Sequence, residues 1–578
     1  MAILAWLMNY SHYGVDVTDE AFYLTWLADP SLYSYSPYLF GFVYNPLHEL
    51  FGGEVAPLRQ ANILISYVLG WFLAEVTLRK HSRDPLPWKA RLALSAAIAC
   101  AALLVVDTWL PTPSYNSLAQ QALFIAASGL VLSERAPTRA SVAGWLLVAV
   151  GGWLAFMAKP STAAALAVCA TAYVLLAGKW NSRLLLATAT LAALLVLVSA
   201  QVIDGSVAQF TKRLQLGMEY LGYLQGGHSL QNVLRIDTFQ LRHGELAILT
   251  FVAVLATVAG LAAQHPGFRR YAAFGISAAL VLLVVLLAAG AWMPKLDFGS
   301  HKDMMIFGVS VAALALAVLL GGGIPKTVRR PDWSLAILFL ALPHVYAFGT
   351  NNNYWQVAGA SGLFWALSGL TVLMRVVDRW TWSALLPLGA GSQLITALII
   401  HAALSNPYRQ PQSLYENGSP IEFGRAGSTL VLSEGFADYI REAMSTARAA
   451  GFQLGSPMID LTGQSPGVLY ALGAKSIGQP WTIGGYPGSE RFAVAGLRHV
   501  PCEEIARAWV LFEPDGPRKL DPALLTHFGL EMARDYRMVA SWLTAPGAGG
   551  YAERRLQVLM QPTRSQGDAV CADKRSGE

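Results

Sequence analysis

From residue 58 to about 404, uninterrupted apolar runs of roughly 18–22 residues recur, each long enough to cross a hydrocarbon core of about 30 Å as a helix. A chain with that repetition can satisfy its backbone only as a bundle of membrane helices. Charged residues make up 13% of the 578 residues, about half the usual soluble share. The runs fall near 58–78, 89–107, 117–133, 142–158, 161–178, 184–203, 245–263, 272–292, 303–322, 333–349, 355–374 and 382–404. A shorter run, Ala2 to Met8, precedes them. About ten residues before Asp16 rise only about 15 Å as a helix. The expectation is that half a helix is missing upstream, the alternative being a helix that enters one leaflet.

Orientation follows from the loops. Arg79 and Lys80, Arg135 and Arg139, Lys179 and Arg183, Arg269 and Arg270, and Arg375 and Arg379 make every second loop basic, while Thr108–Asn116 and Thr350–Tyr354 carry neither Lys nor Arg. Basic loops stay cytoplasmic. The acidic stretch after the first run, the long loop Asp204–Gly244 and everything after Leu404 are then outside. That distribution also explains the net charge of +5 without nucleic acid. The long loop has an amphipathic middle from Phe210 to Leu224, which suits a helix on the membrane surface.

After 404 the pattern changes to short apolar strands alternating with helical stretches, the signature of a small α/β unit. The expected division is a membrane domain over 1–404 and an outer α/β domain over 405–578. Cys502 and Cys571 both lie in the tail, a disulfide-permissive place, and the sequence leaves their pairing open. Gly484–Gly488 lacks both the strand–GxGxxG–helix setting and a Walker lysine, so it is no nucleotide fingerprint.

The chemistry concentrates at outer turns. Asp16, Asp19 and Glu20 place three carboxylates in five residues, followed by Phe22 and Tyr23. Acidic groups at a membrane edge mark function when they face a cavity; otherwise Asp and Thr here simply cap the next helix. Lys159, in a minimal turn between two spans, is a cation for an anionic group, or a snorkelling lysine. Lys295, His301 and Lys302 form a second outer cluster, and Lys212, Arg213, Arg235 and Arg242 a third. Asp107 ends a span; Tyr115, Asn116, Asn352 and Tyr354 offer hydrogen bonds and a ring to a sugar, though asparagines are also ordinary turn residues. No His/Cys/Asp/Glu set has strong metal spacing.

Thr18-Asp19-Glu20-Ala21-Phe22-Tyr23, outside the first span, resembles the acidic motif of the GT-C glycosyltransferases, in particular the branch of protein O-mannosyltransferases and lipid A aminoarabinose transferases. The likeness extends to span number, orientation and the outer C-terminal domain. It implies a GT-C-like polytopic α-helical membrane protein of about thirteen helices with a C-terminal α/β soluble domain. It also implies inverting transfer of a sugar from a polyprenyl-phosphate carrier to an acceptor hydroxyl at the outer face of a bacterial inner membrane. The position matching the family's base is Asp19, with Glu20 orienting the site or binding the acceptor. Lys159, His301 and Lys302 would bind the donor phosphate; Asp107, Tyr115, Asn116, Asn352 and Tyr354 would bind substrate. No metal is obligatory on this reading, although Asp19 with Asp107 leaves a divalent ion open. The acceptor is a glycan, lipid or protein. A flippase for a lipid-linked saccharide is the alternative; against it, the candidate ionisable groups cluster at the outer edge rather than the midplane, no internal repeat is visible and a large outer tail is appended. A third reading is an assembly subunit whose acidic loop is incidental.

Overall fold

The computed structural model describes residues 1–82, 86–224, 233–235, 242–264, 268–296, 298, 330–374, 382–563 and 567–576. Among these, five helices are long and apolar enough to cross a membrane: Val55–His81, Trp88–Val106, Arg139–Ala158, Ser182–Asp204 and Leu386–Ser405. Five shorter apolar helices accompany them, including Pro160–Leu176 and Leu363–Leu373. The run expected at 303–322 lies outside the described residues.

Local chemistry sets the helix ends. Ser114 caps Tyr115–Leu132 through a capping box with Ser117. Lys159 ends one helix and begins the next, with Pro160 at a first-turn position where no backbone donor is needed. This is why a single residue suffices for the turn.

One expectation needs correction. The apolar run 355–374 is not one helix but two, Tyr354–Gly359 and Leu363–Leu373. Gly359 and Gly362 flank the break, where glycine weakens a helix, and the carbonyl of Ala360 accepts instead from Gln120 Nε2 at 2.8 Å. The amphipathic helix of the long loop, Val207–Tyr223, buries its inner face against protein. Gly217 abuts Ser36 and Pro37 of the first outer loop, and Tyr220 packs with Phe492 and Ala495 of the tail. Arg213 is spent on both oxygens of Asp204 and on the carbonyl of Tyr33.

Among the described residues the C-terminal segment holds seven strands. β1 (Ser419–Glu422) and β2 (Thr429–Leu432) form an antiparallel pair. β3 (Pro457–Asp460), β4 (Lys475–Ser476), β5 (Trp509–Phe512), β6 (Tyr536–Leu543) and β7 (Leu556–Pro562) form a mixed sheet in the order β4-β3-β5-β7-β6. Its β3 neighbours are parallel and its β7 neighbours antiparallel. One side packs through Ile459, Val510, Leu525 and Phe528. Cys502 and Cys571 are disulfide-bonded, closing the option the sequence left open.

This segment grips the start of the chain. Gly14 N–H donates to Val431 O at 2.9 Å and Val431 N–H to His12 O at 2.8 Å, so residues 12–14 run alongside β2. Gly467 N–H donates to Val17 O at 2.9 Å. A Cβ on Gly467 would sit 2.7 Å from Val17 Cα, so only glycine permits that approach.

Candidate active site

The three carboxylates of the acidic loop have different surroundings. Asp16 is fully buried and turned inward: Thr18 Oγ1 donates to both its oxygens at 2.8 Å, and Glu20 N–H to its Oδ2 at 3.2 Å. Burial and the neighbouring Asp19 push its carboxyl up. Glu20 is equally buried and meets Arg59, whose Nε and Nη2 lie 2.9 Å from its two oxygens. Arg59 spends its remaining N–H groups on the carbonyls of Ser11, Tyr13 and Gly14. Thr112 Oγ1 donates to Glu20 at 2.7 Å. One guanidinium with all five donors engaged thus fixes the loop that carries the acids.

Asp19 is left, at the first turn of the helix Asp19–Ala28, with its side chain 28% exposed. Arg409 Nη1 donates to its Oδ2 at 3.1 Å and to Thr18 Oγ1 at 2.7 Å. Burial raises its pKa; Arg409, a hydrogen bond from Tyr408 and the charge of Arg518 oppose that rise.

Asp19 opens onto a cavity of about 540 Å³. Asp107, Tyr115, Asn116, Lys159 and Asn352 line it too, together with Tyr23, Tyr38, Tyr346 and Tyr408. Four outer turns, remote in sequence, therefore converge on one space. Lys159 is 5% exposed. Its Nζ lies 4.9 Å from the centroid of Tyr115 and 5.3 Å from that of Tyr346, and among the described residues no carboxylate pairs with it. Burial lowers its pKa to about 8. A snorkelling lysine would hold its head in bulk water; this one holds it against ring faces in an internal space.

Glu20 is not among the residues lining this cavity: Arg59 and Thr112 engage its oxygens, which leaves it the orienting half of its expected role rather than acceptor binding. Tyr354 is also displaced. Its hydroxyl donates to His344 O at 3.0 Å and its ring stacks on His344, so it braces the Asn351–Asn353 turn from beneath. His301 and Lys302 lie outside the described residues. Arg242 lines a neighbouring cavity of about 400 Å³ that shares Asp107, Thr108 and Tyr408 with the first. Among the described residues no three His, Cys, Asp or Glu side chains group to hold a metal ion.

Sequence reasoning missed Arg59, Tyr346, Tyr408 and Arg409. Arg59 carried a signal, a lone charge at the outer end of an apolar helix. Arg409 carried none, because its partner is 390 residues away.

No protein-family model and no curated protein matches the sequence. Among solved structures, the apo crystal structure of ArnT from Cupriavidus metallidurans aligns over 96% of this chain and 96% of that one, at 12% identity and a TM-score of 0.43. A superposition that loose carries no weight for fold or function. The helices, sheet and cavity described above stand without it.

Proposed function

We propose that the protein is an inverting glycosyltransferase that takes a sugar from a polyprenyl-phosphate carrier. The observation that carries this reading is one cavity holding a carboxylate, Asp19, and a buried cation, Lys159, that has no carboxylate partner among the described residues. Lys159 suits the donor phosphate, whose negative charge grows as the carrier departs. Asp19 suits the base: it takes the proton of the acceptor hydroxyl while that oxygen bonds to the anomeric carbon. The bond from that carbon to the phosphate oxygen breaks on the opposite face, and polyprenyl phosphate leaves. Asn116 and Asn352 offer amides to sugar hydroxyls, and Tyr38 and Tyr115, stacked at 4.9 Å, offer an aromatic wall. Glu20 and Arg59 act through the loop they fix.

The resemblance of the Asp19 motif to GT-C enzymes supports the same reading. The basic-loop pattern supports an outward-facing cavity and tail; with the resemblance, our reading is the outer face of a bacterial inner membrane, with residues 405–578 in the periplasm. No step requires a metal.

The test is sugar transfer by the purified full chain, supplied with polyprenyl-phosphate sugars extracted from host membranes and an acceptor pool. Asp19→Asn is expected to bind carrier and lose about 10²–10⁴-fold in turnover, the usual contribution of a general base. Equal transfer by both proteins would remove Asp19 from the chemistry. Movement of lipid-linked sugar across vesicles by both proteins, without transfer, would favour the flippase.

A further inference from the structure

Among the described residues only two non-glycine residues have positive φ, Trp109 at 57° and Arg409 at 51°. Left-handed backbone is disfavoured for any side chain with a Cβ and persists where surrounding contacts over-determine it, often at functional sites. These two strained residues are neighbours in space: Tyr408 N–H donates to Thr108 O at 3.2 Å. Each reaches the acidic loop. Trp109, fully buried, donates Nε1–H to Tyr13 O at 3.1 Å, and Arg409 holds Thr18 and Asp19.

We propose that Arg409 is a positioning residue for the sugar transfer: braced by the strained Thr108–Trp109 contact, it holds the Asp19 carboxylate at the cavity wall in its ionised form. This rests on the glycosyl-transfer reading. The grip uses a single guanidinium nitrogen, so it orients the carboxylate without a bidentate lock. It also brings a residue from beyond the last described membrane-length helix onto the reacting group.

The charged and titratable groups facing Asp19 are Asp16 from its own loop, Tyr23 and Tyr115 from two helices, Tyr408 and Arg409 from the linker, and Arg518 from the tail. Arg409 is the cation in direct contact. An arginine beside an aspartate lowers its pKa by about one to three units. Loss of Arg409 therefore raises the pH below which Asp19 is protonated.

The experiment compares wild type, Arg409→Gln and Arg409→Lys as full chains in nanodiscs. Infrared difference spectra against Asp19→Asn follow the Asp19 carboxyl directly through a pH titration. The acid limb of kcat/KM for polyprenyl-phosphate sugars is measured in parallel. The midpoint is expected to rise by at least about one unit in Arg409→Gln, the acid limb with it, and both to return toward wild type in Arg409→Lys. Donor KM should hold. Coincident midpoints in all three proteins would overturn the proposal, because a purely structural pin leaves the proton on Asp19 unmoved. A shifted midpoint without transfer by wild type would keep the clamp and remove the glycosyltransferase reading. Transfer with an unshifted midpoint would do the reverse.

Discussion

Lys159→Met tests the phosphate site most directly. Methionine keeps the length and apolar contact with Tyr115 and Tyr346 and removes the charge. A hydrogen bond to a charged group contributes about 1.5–3 kcal/mol, so donor affinity should fall by about 10- to 150-fold. The pH dependence sharpens the test. With a pKa of about 8, Lys159 in the unliganded protein is about 90% charged at pH 7 and about 10% at pH 9. The protonated form binds, so affinity is full below about pH 7 and is lost as pH rises through 8, approaching a tenfold loss per unit. Binding of a radiolabelled polyprenyl-phosphate sugar in nanodiscs from pH 6 to 9.5 reads this out. Its phosphodiester keeps one charge over that range, so the slope belongs to the protein. The Met variant should be weak and flat with pH. A dissociation constant that is flat to pH 9.5 in wild type and within about twofold in the variant would refute the assignment.

Two further outcomes concern the scaffold. Glu20→Gln leaves a buried guanidinium uncompensated, and breaking such a pair costs about 3–5 kcal/mol; Arg59 keeps its carbonyl partners, so about 3 kcal/mol is expected, read as a drop of several degrees in the thermal midpoint in detergent. An unchanged midpoint would show that the pair does not hold the loop. Reducing Cys502–Cys571, 69 residues apart, should destabilise the tail by about 4 kcal/mol on the chain-entropy account, seen as earlier proteolysis in reductant. Equal proteolysis with and without reductant would show that the bridge is dispensable.

What the sequence made legible was what it carries locally. Lys159 and Asp107 sit at turns that the ends of apolar runs mark, and the strands and helices of the tail follow short alternating patterns. The break between Gly359 and Leu363 was hidden because apolar composition continues across it and glycine is common in membrane helices. Three carboxylates within five residues could not be ranked by burial from sequence, since Glu20 is held by the distant Arg59, Asp16 by Thr18 and a backbone N–H, and Asp19 by Arg409. Tyr354 reads like its neighbour Asn352, yet the hydrogen bond to His344 draws its ring away from the cavity.

The hold of Arg409 on Asp19 also sets an order of events during synthesis. Ribosomes add about 5–20 residues per second. The 390 residues between the two partners take about 20–80 seconds to make. During that interval the helices bearing Asp19 and Lys159 are already emerging into the bilayer, while the linker and the segment that packs on Val17 do not yet exist. A nascent chain therefore meets lipid with its acidic loop held by Arg59 and Thr112 but with the Asp19 carboxylate still lacking its arginine partner, and that contact forms only when the last third of the chain docks onto the first twenty residues.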